Sequence, residues 1–198
     1  MLTRIALVLS LLFAAPLHAQ PAAPSDQLVK VTLDTELGRI VLELHQARAP
    51  VTTANFLRYV DGMRFDGQTF YRAMKVGDGG LIQGGVRSDA RKLLPPIAHE
   101  PTSQTGLKNV AGAIVMANAG PGTAQSDFFI LASDQPAFDA GHPQGDAVGF
   151  AVFGKVVEGM DVVRKILDAP VSATKGEGVM KGQMLEPEIR IVKAERLK

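Results

Sequence analysis

Apolar and polar positions alternate from Leu28 to Thr35, with Val29, Val31 and Leu33 on one side, and an apolar run resumes over Ile40 to His45. Gly38, within the turn Glu36-Leu37-Gly38-Arg39, supplies the backbone freedom of a tight reversal, so the two runs predict a hairpin. Ala49-Pro50 then opens a helix, because a proline in the first turn gives up an N–H that has no partner there. Thr53, Phe56, Leu57 and Val60 recur at helical spacing and predict a core-facing stripe that Gly62 ends. Further strands are predicted over Phe70 to Met74, Leu81 to Gly85, Val110 to Met116, Ser126 to Ala132, Phe150 to Val156 and Glu188 to Ala194. A second short helix is predicted over Glu158 to Asp168, with Met160, Val163 and Leu167 inward. Val86 to Thr105 has no clear period and reads mostly as a long surface connection, and Phe138 to Gly149 as a second loop bearing Gly and Pro. Many strands, two separated helices and frequent turns predict an all-β barrel or sandwich capped by helices. Large residues at Phe128, Ile130 and Phe153 favour a filled barrel over one that holds a small ligand.

One strand is chemically odd. Strict alternation places Phe70, Arg72 and Met74 on one face and Tyr71 with Ala73 on the other. Arg is rarely buried without a partner, and Phe and Met are not at home in water. Such a face fits the wall of a partly apolar cleft with one fixed cation; it equally fits an edge strand whose Arg lies over its own neighbours.

Composition narrows the setting. The chain has 198 residues, enough for one well-buried core, and 21 basic against 20 acidic side chains give a net charge of +1. The absence of like-charge runs offers nothing to a nucleic acid. Arg4 followed by the apolar stretch Ile5 to Leu17 and the small-residue site Leu17-His18-Ala19 reads as a secretory signal peptide over residues 1–19. That stretch falls short of the roughly 20 apolar residues of a membrane-spanning helix. Residues 20–27 form a flexible lead and residues 28–198 the domain. The mature protein is therefore expected to be exported, most simply to a periplasm, without a membrane anchor, and with no Cys it has no disulfide framework.

Most catalytic toolkits are missing. His18, His45, His99 and His142 are scattered, so no metal site is expected, and no nucleophile elbow is present. The glycines around Asp78 lack the Lys-Ser/Thr of a phosphate loop. Asp127 and Asp139 suggest an acid and base pair, although single acids near turns are usually solvated or capping groups. What is left is Arg72 with its apolar neighbours, Gln83, and the backbone of Ala117 to Ala119, a set able to bind an extended peptide and polarise one bond.

Phe70-Tyr71-Arg72, Gln83-Gly84-Gly85, Met116-Ala117-Asn118-Ala119-Gly120-Pro121, Ser126-Asp127-Phe128-Phe129-Ile130 and the run Phe150 to Val163 resemble, in order, the successive motifs of the cyclophilin family of peptidyl-prolyl isomerases. The resemblance is collinear from about Val29 to Ile191. It implies a closed antiparallel eight-stranded barrel capped by two α-helices, catalysis of cis–trans exchange at X-Pro bonds, and no cofactor. It implies as partners the proline-containing segments of exported proteins that are folding or unfolded, bound by a monomer. Arg72 takes the place of the catalytic arginine, with Phe70 just before it in the cleft and Gln83 reaching the substrate backbone. Ala117, Asn118 and Ala119 fall on the peptide-pairing segment, Phe129 on the floor of the proline pocket, and Leu81, Asp127, Phe138 and Phe150 around it.

Five departures from the family pattern stand out. Three extra residues separate Arg72 from Gln83; Gly80 and Leu81 replace an aromatic and a Met; Asp127 replaces Gln; Phe150 replaces His; and Ala137 replaces Trp or Phe, with Phe138 adjacent to compensate. These changes imply weak binding of cyclosporin-like drugs and a shifted peptide preference. The alternative reading is a peptide-binding or chaperone module on the same fold, its catalytic pocket decayed.

Overall fold

The computed structural model describes residues 28–87 and 89–197. The signal peptide and the lead fall in residues 1–27, outside the described residues. The elements are β1 (Leu28–Thr35), β2 (Gly38–His45), α1 (Pro50–Asp61), β3 (Thr69–Val76), β4 (Gly79–Gly85), α2 (Thr102–Thr105), β5 (Ala113–Met116), β6 (Phe128–Leu131), β7 (Ala151–Glu158), α3 (Met160–Leu167), β8 (Val171–Ser172) and β9 (Met184–Arg196). Antiparallel pairing runs β1-β2-β7-β5-β6-β4-β3-β9, and β9 pairs back onto β1. Eight strands thus close a barrel, and the two-residue β8 adds to β9 outside the ring. Closure leaves no long unpaired edge among these strands.

The predicted hairpin forms with Thr35 opposite Gly38, and Thr35 Oγ1 accepts from Leu37 N at 3.1 Å across the turn. Helix α1 buries the predicted stripe: Thr53, Phe56, Leu57 and Val60 are all inside. Phe56 lies 5.4 Å from Phe128 and 5.2 Å from Phe153, centroid to centroid, and Phe70 lies 5.7 Å from Phe128. These rings fill the barrel, as the large residues at Phe128, Ile130 and Phe153 predicted, all three being fully buried.

Three expectations change. The third helix, α2, is a single turn that carries no apolar period, so pattern reading does not reveal it. The last strand begins at Met184 instead of Glu188, because the pairing of Arg72 with Met184 across β3 extends it beyond its alternating portion. The 86–105 connection is not purely superficial, since Glu100 is 3% exposed and closes the start of α1. Its carboxylate accepts from Val51 N at 3.1 Å, from Thr52 N at 2.7 Å and from Thr52 Oγ1 at 2.6 Å. Ala49, the residue at the N-cap, has no side chain able to do this, so a distant acid satisfies the orphan donors of the first turn.

Candidate active site

The odd strand is resolved by a bulge. Phe70 pairs with Gly84 and Arg72 with Gln83, leaving Tyr71 as an extra residue between them. An inserted residue resets the alternation of side chains. Phe70 therefore enters the buried ring cluster at 0% exposure, while Arg72 turns outward into a groove. This corrects the expectation that Phe70 lines the cleft beside Arg72. Leu81, also expected there, is 1% exposed in the sheet between Met74 and Leu131 and does not line the groove.

The groove has a volume of about 490 Å³ and brings together Arg72, Gln83, Ala117, Asn118, Ala119, Asp127, Phe129 and Phe150, residues spread over five segments of sequence. Its apolar floor is a set of three rings. Phe129 and Phe150 meet edge to face at 5.5 Å, and Phe138 supports Phe150 from behind at 4.9 Å. Phe138 also lies 6.3 Å from Phe129, so this half-buried ring, next to Ala137, packs against both of the others. Gly80 also has a geometric reason. At φ 131°, a Cβ there would sit 1.9 Å from the Met74 carbonyl oxygen, so the β3–β4 hairpin excludes a side chain at this position.

Arg72 is 9% exposed and is held by neutral partners. Its Nε donates to Gln183 Oε1 at 2.9 Å, its Nη1 to Gln83 Oε1 at 2.9 Å, and its Nη2 to the Met74 thioether at 3.6 Å. Burial lowers the guanidinium pKa, yet an arginine stays protonated across the physiological range. No carboxylate pairs with it among the described residues, so its charge is fixed in place and left uncancelled. Gln183 escaped the sequence reading because it sits 111 positions from Arg72, in a segment with no motif.

Asp127 is not the solvated group that a lone acid near a turn suggests. Its carboxylate accepts from Tyr71 Oη at 2.6 Å and Ser126 Oγ at 3.1 Å. Desolvation pushes its pKa above the ordinary value, opposed by those two hydrogen bonds and by the Arg87 charge. Burial and the adjacent carboxylate push the Tyr71 phenol up as well. A Cβ on Gly85 would fall 2.1 Å from Asp127 Oδ1, so the second glycine of Gln83-Gly84-Gly85 makes room for this acid. Asp139, by contrast, does cap structure, accepting from Asn109 N at 3.0 Å and Asn109 Nδ2 at 2.9 Å. The two acids form no acid and base pair.

The family model described as cyclophilin type peptidyl-prolyl cis-trans isomerase/CLD matches residues 28–196. The chain belongs to the cyclophilin family. It is 36% identical over 177 residues to a peptidyl-prolyl cis-trans isomerase of Acinetobacter baylyi, spanning 87% of this chain and 86% of that one. It is 39% identical over 150 residues to peptidyl-prolyl cis-trans isomerase A of Dickeya dadantii, covering 74% and 75% of the two chains. A solved cyclophilin type isomerase of Cryptosporidium parvum, crystallised in the presence of the dipeptide Ala-Pro, superposes with a TM-score of 0.68 at 23% identity, over 85% of this chain and 99% of that one. Cyclophilins are isomerases that bind proline-containing peptides, and this chain is an enzyme of that class.

Proposed function

We propose that Arg72 accelerates X-Pro rotation by donating to the imide nitrogen as the bond twists, with the proline ring seated on Phe129 and Phe150. The observation that carries this reading is the buried, uncancelled guanidinium at the edge of an aromatic floor. Rotation about a peptide bond costs about 18–20 kcal/mol because nitrogen is conjugated with the carbonyl. At the twisted transition state the nitrogen regains a lone pair, so a donor aimed there binds that state better than either planar ground state. A charge-assisted hydrogen bond contributes about 1.5–3 kcal/mol net, and about 1.4 kcal/mol is tenfold in rate. Arg72 thus accounts for one to two orders of magnitude. Fixing the chain against Gln83 and the Ala117–Ala119 segment supplies the remainder, without a nucleophile or a metal.

The substrates we propose are proline-containing segments of exported proteins, met in the periplasm. Arg4, the apolar Ile5 to Leu17 and the site Leu17-His18-Ala19 support export. N-terminal sequencing of the mature protein from fractionated cells tests it: a start near Gln20 in the periplasmic fraction is expected, and an intact Met1 in the cytosol overturns it.

The mechanism is tested by NMR exchange between cis and trans forms of a short X-Pro peptide, comparing wild type with Arg72→Ala. A loss of ten- to a hundredfold is expected. Equal rates overturn the role of Arg72, and no acceleration by wild type leaves a peptide-binding module.

A further inference from the structure

A second cavity of about 1060 Å³ opens beside the first and meets it at Gln83, Asp127 and Met180. Its far wall is the segment from Lys175 to Met180 and the start of β9, residues with no place in the motif set that defines the site. The two cavities share these three lining residues, so a chain seated over Phe129 at Arg72 that continues past Gln83 and Asp127 meets the second cavity.

The lining of the second cavity has a definite chemistry. Met180, Met184, Leu185 and Pro187 give it an apolar stretch. Four carboxylates, Asp127, Glu177, Glu186 and Glu188, face two cations, Arg87 and Lys175. Lys175 is already engaged with Glu186 at 2.6 Å, and the Arg87 guanidinium lies 4.3 Å over the Tyr71 ring. Glu188 accepts from the Thr69 hydroxyl at 2.5 Å, and Asp127 from the hydroxyls of Tyr71 and Ser126. Asp127, Glu177 and Glu188 are therefore without an ion-pair partner among the described residues. An apolar stretch beside carboxylates that outnumber the cations four to two matches a side chain with a long aliphatic stem and a cationic head.

We propose that this second cavity is a subsite for the substrate chain flanking the proline and that it selects Lys or Arg there. The proposal rests on the groove at Arg72 being the place where the proline binds. Met180 lines both cavities, and its neighbour Val179, 84% exposed, lines the first, so the Lys175–Met180 segment borders the two.

The test uses the full mature chain and three proline peptides that share one core and carry Ala, Lys or Glu at the positions on either side of it. Binding is followed by NMR titration and turnover by cis–trans exchange, at low and high salt. The Lys peptide is expected to bind roughly three- to tenfold tighter than the Glu peptide, with the gap closing as salt screens it. Shift changes are expected at residues 175–188. In the charge-reversed variant Glu177→Lys/Glu188→Lys the order of the two peptides is expected to invert. Equal affinities in wild type, or an unchanged order in the variant, overturn the proposal. Affinities are read separately from rates, so a protein that binds with this preference but does not catalyse fails the Arg72 mechanism and not the subsite.

Discussion

Gln183 Oε1 accepts from Arg72 Nε at 2.9 Å, holding from the C-terminal side a guanidinium that Gln83 holds from the other. The backbone adds a second tie, because Ala73 N donates to the Gln183 carbonyl at 2.9 Å. An arginine fixed by two amide oxygens keeps its whole charge for an occupant of the groove, whereas one fixed by a carboxylate would share it.

That difference is measurable. Gln183→Glu keeps an acceptor in place but adds a negative charge at Arg72, so kcat for X-Pro exchange is expected to fall about tenfold with KM little changed. Gln183→Ala frees the head group and is expected to lose less. If the Glu variant turns over as fast as wild type, the neutrality of the partner is irrelevant to rate.

The aromatic floor has its own signature. Phe150→Ala removes the ring that meets Phe129 at 5.5 Å and opens the floor down to Phe138. Losing that apolar contact is expected to cost about tenfold in kcat/KM, mostly through KM, as peptide titrations resolve. A loss confined to kcat would move the proline away from this floor.

Asp127 makes stability depend on pH in a fixed direction. Its folded pKa is raised by desolvation, so the native protein holds this proton more tightly than the unfolded chain does. Its contribution is fully favourable below the unfolded value of about 3.9 and is lost as pH rises through the higher folded value. Asp127→Asn should therefore gain on wild type in denaturant unfolding as pH climbs from about 3 to 7. The opposite trend would mean that Arg87 and the hydroxyls outweigh burial.

Glu100 is the least obvious structural residue. Glu100→Ala strands Val51 N, Thr52 N and the Thr52 hydroxyl at the head of α1. The expected cost is about 3 kcal/mol, roughly 10 °C in Tm, by calorimetry. Glu100→Gln keeps an acceptor and should lose less than half of that. Equal losses for the two would show that space, not hydrogen bonding, sets the requirement.

How much of this was legible varies with the range of the interaction. The β1–β2 hairpin and the stripe of α1 could be read directly, because turn chemistry and side-chain period act over a few residues. The groove residues Arg72, Gln83, Ala117, Asn118, Ala119, Asp127, Phe129 and Phe150 could be named through motifs in order, although no period placed them side by side. Phe70 and Leu81 were misplaced because strict alternation and family position both ignore a bulge at Tyr71 and a longer hairpin.

The sequence by itself determined most of the strands, the two longer helices, and that large rings fill the barrel. Those outcomes follow from local backbone preference and from the exclusion of apolar side chains from water, both written residue by residue. Tertiary structure alone decided that Gln183 grips Arg72, that Glu100 caps α1, that Tyr71 shields Asp127, and that a second cavity joins the first. Each of these joins groups far apart in the chain through contacts a few ångströms long, and only closure of the barrel brings such groups within reach.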